Sequence, residues 1–431
     1  MKPLDPSILT ADPLLHRVWG HMGRPANCRV VGGYVRDRLL GRPNNDLDLA
    51  IDGDVNEASG PARRLGKALR VHPHLLGTAP HRIWRIETDH LKIEIWPLGD
   101  LIHQEDMKRR DFSCNALSWE LPDGPLVDLV GGFEDIQHRR LRAISRFNLE
   151  DDPVRLLRAP RFLAQLVDFE LDDRTRSWIE DLAPSLQGAP RERVGQELLT
   201  LLRAPAAARG LRECLGLGLF EHAAPKDSRI ESEWLSIHCS AADSLNSLRN
   251  AGETPAPHLS QPQCGAGVPP ARGRSGDTLD TARLALLFRA WGLPSERAAA
   301  PYAWTKPVRE NARRAAQMLD EAFATVDGSA ADRRELAWLA GPAYPALIAL
   351  AAAVESDRSW DRWLRQWRRD PAAFLDPQPL LSGLEISEIT GIEPGPELGT
   401  VARALLRAQV RGEIRSRGGA VRWLARRTAS H

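Results

Sequence analysis

This chain is short of several signals that would place it quickly. Its five cysteines, Cys28, Cys114, Cys214, Cys239 and Cys264, are scattered and odd in number. No two of them form a Cys-x-x-Cys pair, so the pattern speaks against structural zinc and for free thiols in a reducing cytoplasm. No His-Asp dipeptide occurs, which removes support for a metal phosphohydrolase of the His-Asp type. The first ten residues carry no apolar core of signal-peptide length, and no run is expected to approach a membrane span. Net charge is only +1, so any binding of nucleic acid must rest on local patches rather than on a polycationic surface. What remains is a globular composition, 42% hydrophobic and 27% charged, in a chain of 431 residues that is long enough for two or more domains.

The chain changes character along its length. Residues 27 to about 145 mix short β-rich runs with helical ones, and strands are expected at Arg29–Val31, Asp46–Ile51, His81–Glu87, Leu91–Trp96, Ala116–Glu120 and Leu126–Asp128. From about residue 148, Leu, Ala and Arg recur at helical spacing and strand signals nearly vanish. The expectation is an α+β protein: a small α/β head followed by an all-helical body. Residues 250–277 are rich in Gly, Pro, Ser and Gln and bury too little apolar surface to offset their ordering entropy, so they read as a flexible linker.

The densest information lies between Val30 and Asp48. An apolar strand runs into Gly32 and Gly33, a helical stretch follows, and a second strand opens with Asp46 and Asp48. Side chains alternate along a strand, so the two aspartates share one face while Leu47, Leu49 and Ile51 face a core. Adjacent carboxylates repel unless a cation sits between them, and hard divalent ions shared with substrate phosphates suit that role. The glycine pair lets the backbone approach a triphosphate. A polar strand end is the plain alternative. In the helical stretch, Arg36 either reaches a phosphate or braces Asp37, and Asp37 is equally suited to a helix start.

Four further clusters follow. Leu91, Ile93 and Ile95 alternate as an apolar face, so Glu94 points away from them; it is either a third carboxylate beside Asp46 and Asp48 or part of a solvated strand face. Arg109, Arg110, Asp111 and Asn115 combine donors suited to a polyanion with a carboxylate suited to a sugar hydroxyl, or else form an exposed basic turn. Asp152 before Pro153 marks a helix start. Arg155 and Arg158 lie one turn apart, where an Asp and an Arg could read base edges. Pro160 should bend that helix and aim Arg161 elsewhere. Finally, Arg403, Arg407, Arg411 and Arg415 repeat every four residues, a basic stripe that is either a phosphate track or a solvated face.

Taken together, the motifs over residues 25 to 220 resemble the bacterial-type (class II) tRNA nucleotidyltransferase and poly(A) polymerase family. Gly32 to Asp37 with Asp46 and Asp48 resembles its first motif, and Arg109 to Phe112 with Asn115 and Ala116 its second. Val127 to Gly132 with Asp135 resembles the head–neck hinge, Asp151, Asp152 and Arg155 the nucleotide-selecting motif, and Arg191 to Arg193 the motif that supports it. The tail, Pro394–Gly399 with Gln409–Ile414, also resembles these enzymes. The resemblance implies a polymerase-beta-like head over 1–145, a helical neck over 146–222, a connector over 223–249, and a helical body and tail over 278–431. It implies magnesium held by Asp46 and Asp48; Glu94, placed beside them by strand alternation, would be a further catalytic acid. Gly32, Gly33, Arg36, Asp37, Arg110, Asp111, Asn115, Asp152, Arg155, Arg158 and Arg161 would bind nucleotide. The partners implied are CTP, ATP and the acceptor arm and 3′ end of tRNA, with no membrane.

Three departures bear on specificity. Asp151 stands where the family usually has Glu, Pro160 replaces a helix-compatible residue, and only Trp96 to Gln104 separate the Glu94 strand from the approach to Arg109. That short spacing resembles members that add two cytidines rather than the full CCA. The activities in view are therefore CCA synthesis or repair, CC addition alone, and poly(A) synthesis. An RNA-binding protein without catalysis is the non-enzymatic reading.

Overall fold

The computed structural model describes residues 4–77, 82–99, 102–231, 233, 235, 238–250, 275–302, 304–355, 360 and 377–428. The expected linker at 250–277 falls almost wholly outside these residues, as do Cys264 and the first residue of the strand expected from His81. Two compact units are present: residues 1–189 with 216–222, and residues 190–215 with 223–431.

The first unit is built on a seven-stranded sheet. Its strands are β1 (Cys28–Val31), β2 (Asp46–Ile51), β3 (His74–Leu76), β4 (Ile83–Glu87), β5 (Lys92–Pro97), β6 (Leu117–Glu120) and β7 (Leu126–Asp128), in the order β3-β4-β5-β2-β1-β6-β7. Every pairing is antiparallel except β2 with β5. The alternation expected of β2 and β5 is present: Leu47, Leu49, Ile93 and Ile95 are fully buried, whereas Asp46 is exposed. β3 was not foreseen, because its three residues are too few to show an alternation and none of them is buried. The same holds for the two-residue parallel pair β8 (Arg140–Leu141) and β9 (Glu170–Leu171), too short to show a period.

Residues 146–189 pack into this same unit. The helix Arg146–Asp151 is capped by Ser145, whose hydroxyl accepts from the Asn148 N–H. The expected helix from Pro153 is instead a 3-10 turn, Pro153–Leu157, in which Asp152 makes no side-chain cap. The α-helix proper is Arg158–Gln165. Pro160 therefore lies in a first turn, where a backbone N–H has no intrahelical partner to lose, and the bend predicted at that residue is replaced by a change of helix type before it. Gly132, at the start of the helix Gly132–Gln137, is required by contact: a Cβ there would lie 2.1 Å from the Ser113 carbonyl oxygen.

The second unit is helical. Helix Ser275–Ala290 packs against Lys306–Gln317 and Tyr344–Val354. Tyr302 and Trp304 stack with ring centroids 4.7 Å apart, and Gly195 leaves room for Tyr302. A separate C-terminal core gathers Leu381, Ile386, Leu398, Leu405, Ile414 and Leu424. One stretch, Ala330–Val354, is long and apolar enough to cross a membrane, which corrects the expectation that no run approaches a span. Gly341, at φ +56, and Pro342 divide it into helices Ala330–Ala340 and Tyr344–Val354. Most of the second helix is buried in the unit, as expected for a core helix that is apolar all round.

Candidate active site

The parallel pairing of β2 with β5 sets Asp48 opposite Glu94 and Asp46 opposite Lys92. Asp46, Asp48 and Glu94 therefore lie on one face at one end of two adjacent strands. Glu94 is buried, which rules out a solvated strand face. Its Oε1 accepts from Arg85 Nε at 2.9 Å and Nη2 at 2.6 Å and lies 3.1 Å from Lys92 Nζ. Lys92 Nζ also donates to both Asp46 oxygens, at 3.0 and 3.2 Å. Burial, together with the neighbouring charges of Asp46 and Glu94, pushes the Asp48 carboxyl up to about 6. A carboxylate held under such strain is one that a cation would relieve. Among the described residues no three His, Cys, Asp or Glu side chains converge as a complete metal cage. A hard divalent ion that is shared with substrate phosphates needs only one or two protein carboxylates, with water completing its shell.

Gly32 closes the other side of Asp48. Its φ of +75 suits glycine, and a Cβ would lie 2.9 Å from Arg110 Nη1 and 3.7 Å from Asp48 Oδ2. Gly33 has no such constraint: it begins the helix Gly33–Leu39, with Arg36 Nη2 in ordinary contact range of its Cβ position. Arg110 is held by Asp106, its Nη2 3.0 Å from Oδ2, and keeps part of its guanidinium accessible.

Behind this edge runs a buried polar network. Of the two roles open to Arg36, bracing Asp37 is the one observed: Nε and Nη2 pair with its two carboxylate oxygens at 2.9 and 3.0 Å. Arg36 Nη1 donates to Asn115 Oδ1, and Asn115 Nδ2 reaches Asp111 Oδ1 at 3.3 Å. Asp37 sits inside its helix rather than at the start, and accepts from Asn44 Nδ2 at 2.8 Å. Asn44 Oδ1 in turn accepts the Asp46 N–H at 2.8 Å, so the network ends on the backbone of the carboxylate strand. Asp111 is buried, accepts from Arg158 Nη1 at 2.9 Å, and is held below the usual carboxylate range by Arg158 and hydrogen bonds despite its burial.

The neck arginines divide. Arg155 Nη1 donates to the carbonyls of Arg109 and Asn148, both at 2.9 Å, and its Nε lies 3.6 Å from Asp152 Oδ2. Asp152, not the exposed Asp151, is the carboxylate beside Arg155, so the shortened side chain at 151 is not its brace. Arg161 is aimed elsewhere, as expected, with its guanidinium 4.3 Å from the Phe162 ring centroid.

The C-terminal stripe does not form the track its spacing suggested. Helix Pro396–Arg411 stops at Gly412, so Arg415 lies beyond it and donates to the Gly412 carbonyl at 3.1 Å. Arg407 and Arg411 both pair with Glu335, and Arg411 pairs with Asp332 at 2.9 Å. Lys92, Arg85 and Asn44 were not singled out from sequence. Strand alternation does place Lys92 on the face of Glu94, but only the register puts it against Asp46.

Comparison with known proteins joins this geometry to a lineage. Residues 28–142 match the poly A polymerase head domain, and residues 168–227 match the probable RNA and SrmB-binding site of polymerase A. A CCA-adding enzyme of Bacillus stearothermophilus, solved in complex with CTP, has a similar fold: TM-score 0.70 at 22% identity, covering 100% of this chain and 98% of that one. The CC-adding tRNA nucleotidyltransferase of Thermus thermophilus is 30% identical over 90% of this chain and 91% of its own length. The A-adding tRNA nucleotidyltransferase of Deinococcus radiodurans is 31% identical over 90% of this chain and 93% of its own. With that relationship running nearly end to end, and with the head model lying over the carboxylate strand, the chain belongs to the tRNA nucleotidyltransferase and poly(A) polymerase family.

Proposed function

We propose that this protein is a nucleotidyltransferase that adds nucleotides from CTP or ATP to the 3′ end of tRNA, in the cytoplasm, with magnesium. The observation that carries the reading is the pair Asp46 and Asp48 on one strand face, flanked by Gly32 and Arg110. Asp46 and Asp48 would hold the ion, which when bound supplies positive charge to the attacking and leaving oxygens. The 3′-oxygen of the RNA bonds to the α-phosphorus as its proton passes to solvent. The bond to the bridging oxygen breaks, and pyrophosphate departs with that electron pair. Gly32 lets the backbone lie close to the phosphates, and Arg110, held by Asp106 and the Asn115 carbonyl, brings positive charge beside them. Asp152, Arg155 and Arg158 present donors and acceptors to the incoming base, with Arg155 and Arg158 anchored on the Arg109–Asp111 segment. Arg36, Asp37, Asp111 and Asn115 act through that scaffold as positioning residues.

Addition of only part of the CCA end is the form of this activity that the chain favours. β5 ends at Pro97, Gly99 is already bridged to Gly53, and the helix His103–Lys108 follows, so little chain is left for a long loop; residues 100–101 lie outside the described set. Both relatives named above that align along nine-tenths of the chain are named for part of the CCA sequence. The test is sequencing of 3′ ends after incubation of three tRNAs, ending before CCA, after C and after CC, with CTP and ATP. Addition of two cytidines and a stop, or of the terminal adenosine alone, supports the restricted form. A complete CCA from the shortest tRNA removes it, and long A tails on generic RNA would replace it with poly(A) synthesis.

A further inference from the structure

Among the described residues, Lys92 is the one cation that touches two of the three acids at the carboxylate edge. It comes from β5, opposite Asp46 in a parallel register, and its ammonium lies 3.0 Å from Asp46 Oδ1, 3.2 Å from Asp46 Oδ2 and 3.1 Å from Glu94 Oε1. Glu94 has a second partner in Arg85, opposite it on β4, so Glu94 stays neutralised without Lys92. Asp46 has no such second ion-pair partner among the described residues. The Asp46 side chain is 55% exposed and that of Lys92 33%, so the contact is a surface ion pair of the kind worth little. It is inexpensive to break, yet it holds a full positive charge at the carboxylate that would ligate a metal.

We propose that Lys92 is a tethered counter-ion that tunes what the carboxylate pair accepts: it disfavours a free divalent cation and favours one that arrives bound to a triphosphate. This rests on the reading that Asp46 and Asp48 hold the cation. The argument is one of sign. A free divalent ion carries +2 and is repelled by the ammonium that it must displace from Asp46. A metal–triphosphate complex carries net negative charge and is attracted by the same ammonium, which swings off Asp46 and stays close on its flexible stem. Arg85, paired with Glu94, keeps that acid neutralised when the lysine moves away. The site thus stays closed to the bare ion by an ordinary salt bridge and opens to the loaded substrate.

The full-length protein tests this through two constants that should move in opposite directions. Mn²⁺ binding without nucleotide is read from the free-ion electron paramagnetic resonance signal. The KM for the metal complex of whichever nucleotide the wild type incorporates is read on tRNA lacking its CCA. In Lys92→Gln at low ionic strength, Mn²⁺ should bind about three- to tenfold tighter and KM should rise by a similar factor, with kcat within about twofold. Both shifts should shrink as salt is raised. Lys92→Arg, which keeps the charge, should bring both constants back toward wild type. A loosened fold would weaken both kinds of binding, so opposite shifts cannot come from general damage. Mn²⁺ binding that is unchanged or weaker in Lys92→Gln overturns the inference. Asp46→Asn is the control: if it binds Mn²⁺ as the wild type does, the cation assignment fails and the lysine's role with it. If Asp46→Asn loses Mn²⁺ and Lys92→Gln gains nothing, only the lysine's role falls.

Discussion

Asp48 and Asp135 belong to the same compact unit and are treated in opposite ways. Asp135 is completely buried, and each of its oxygens has a guanidinium: Arg140 Nε at 2.5 Å on one, and Arg142 Nη2 at 2.7 Å on the other, with the Ser113 hydroxyl added at 2.6 Å. Asp48 has Asp46 and Glu94 as charged neighbours, and the two cations that act on it, Arg110 and Lys92, are paired with other carboxylates: Arg110 with Asp106, and Lys92 with Asp46 and Glu94. Where the chain needs a joint, it pairs every carboxylate oxygen. Where we propose that a cation binds, it leaves negative charge in excess. Carboxylates crowded in this way with cations that are shared elsewhere carry a cost, and a group perturbed like Asp48 is a candidate for function.

The contrast can be broken from either side. The largest effect is expected at the uncompensated end: Asp46→Ala should cut nucleotide incorporation by about 10³-fold or more while circular dichroism and melting temperature hold. Extension of tRNA at near wild-type rate would remove the carboxylate pair from the chemistry. Next comes the paired end. Asp135→Ala strands two arginines and should lower stability by about 3–5 kcal/mol in urea unfolding, because breaking a buried pair leaves charge unmatched. A smaller change of opposite sign is expected from Asp48→Asn. The folded carboxyl is raised to about 6, so its charged form is disfavoured by folding and the cost is present above that pH and absent below the ordinary carboxylate range. In metal-free buffer the variant should be more stable by about 1–2 kcal/mol at pH 7.5, with the advantage gone near pH 4. A urea midpoint that falls at pH 7.5 would contradict this. The smallest effect is at Asp332, a half-buried paired carboxylate lowered to about 2 by Ser329 and Arg411. Its contribution is present above the ordinary carboxylate range and lost as pH falls through about 2. Asp332→Asn should therefore lower the urea midpoint slightly at pH 6, and the difference from wild type should fade on acidification. A difference that grows on acidification would break the assignment.

Much of the head was legible because it depends on short-range rules. β2 and β7 have the bounds expected, and the remaining foreseen strands differ at their ends by a residue or two. The misses have physical causes. β3 has no buried face to mark it, and the pair β8 and β9 is held by partners thirty residues apart. The helix expected from Asp152 follows sound capping rules. It gives way to a 3-10 turn in which Arg155 reaches the backbone of Arg109 and Asn148, contacts that no local signal announces. The arginine stripe ran past the true helix end at Gly412, whose left-handed backbone stops the helix before Arg415.

The sequence alone determined that Asp46 and Asp48 share a face, that a glycine precedes the helix beside them, and that arginines follow in the neck. Each of these depends on a period of two or four residues, or on the preference of a single residue. Only the tertiary structure decided that β5 lies parallel beside β2, and with it that Lys92 bridges Asp46 and Glu94, that Arg36 turns inward to Asp37, and that Arg158 closes on Asp111. Strand register is chosen by the whole sheet, since a slip of one residue turns every buried side chain outward, and no local stretch of chain carries that constraint.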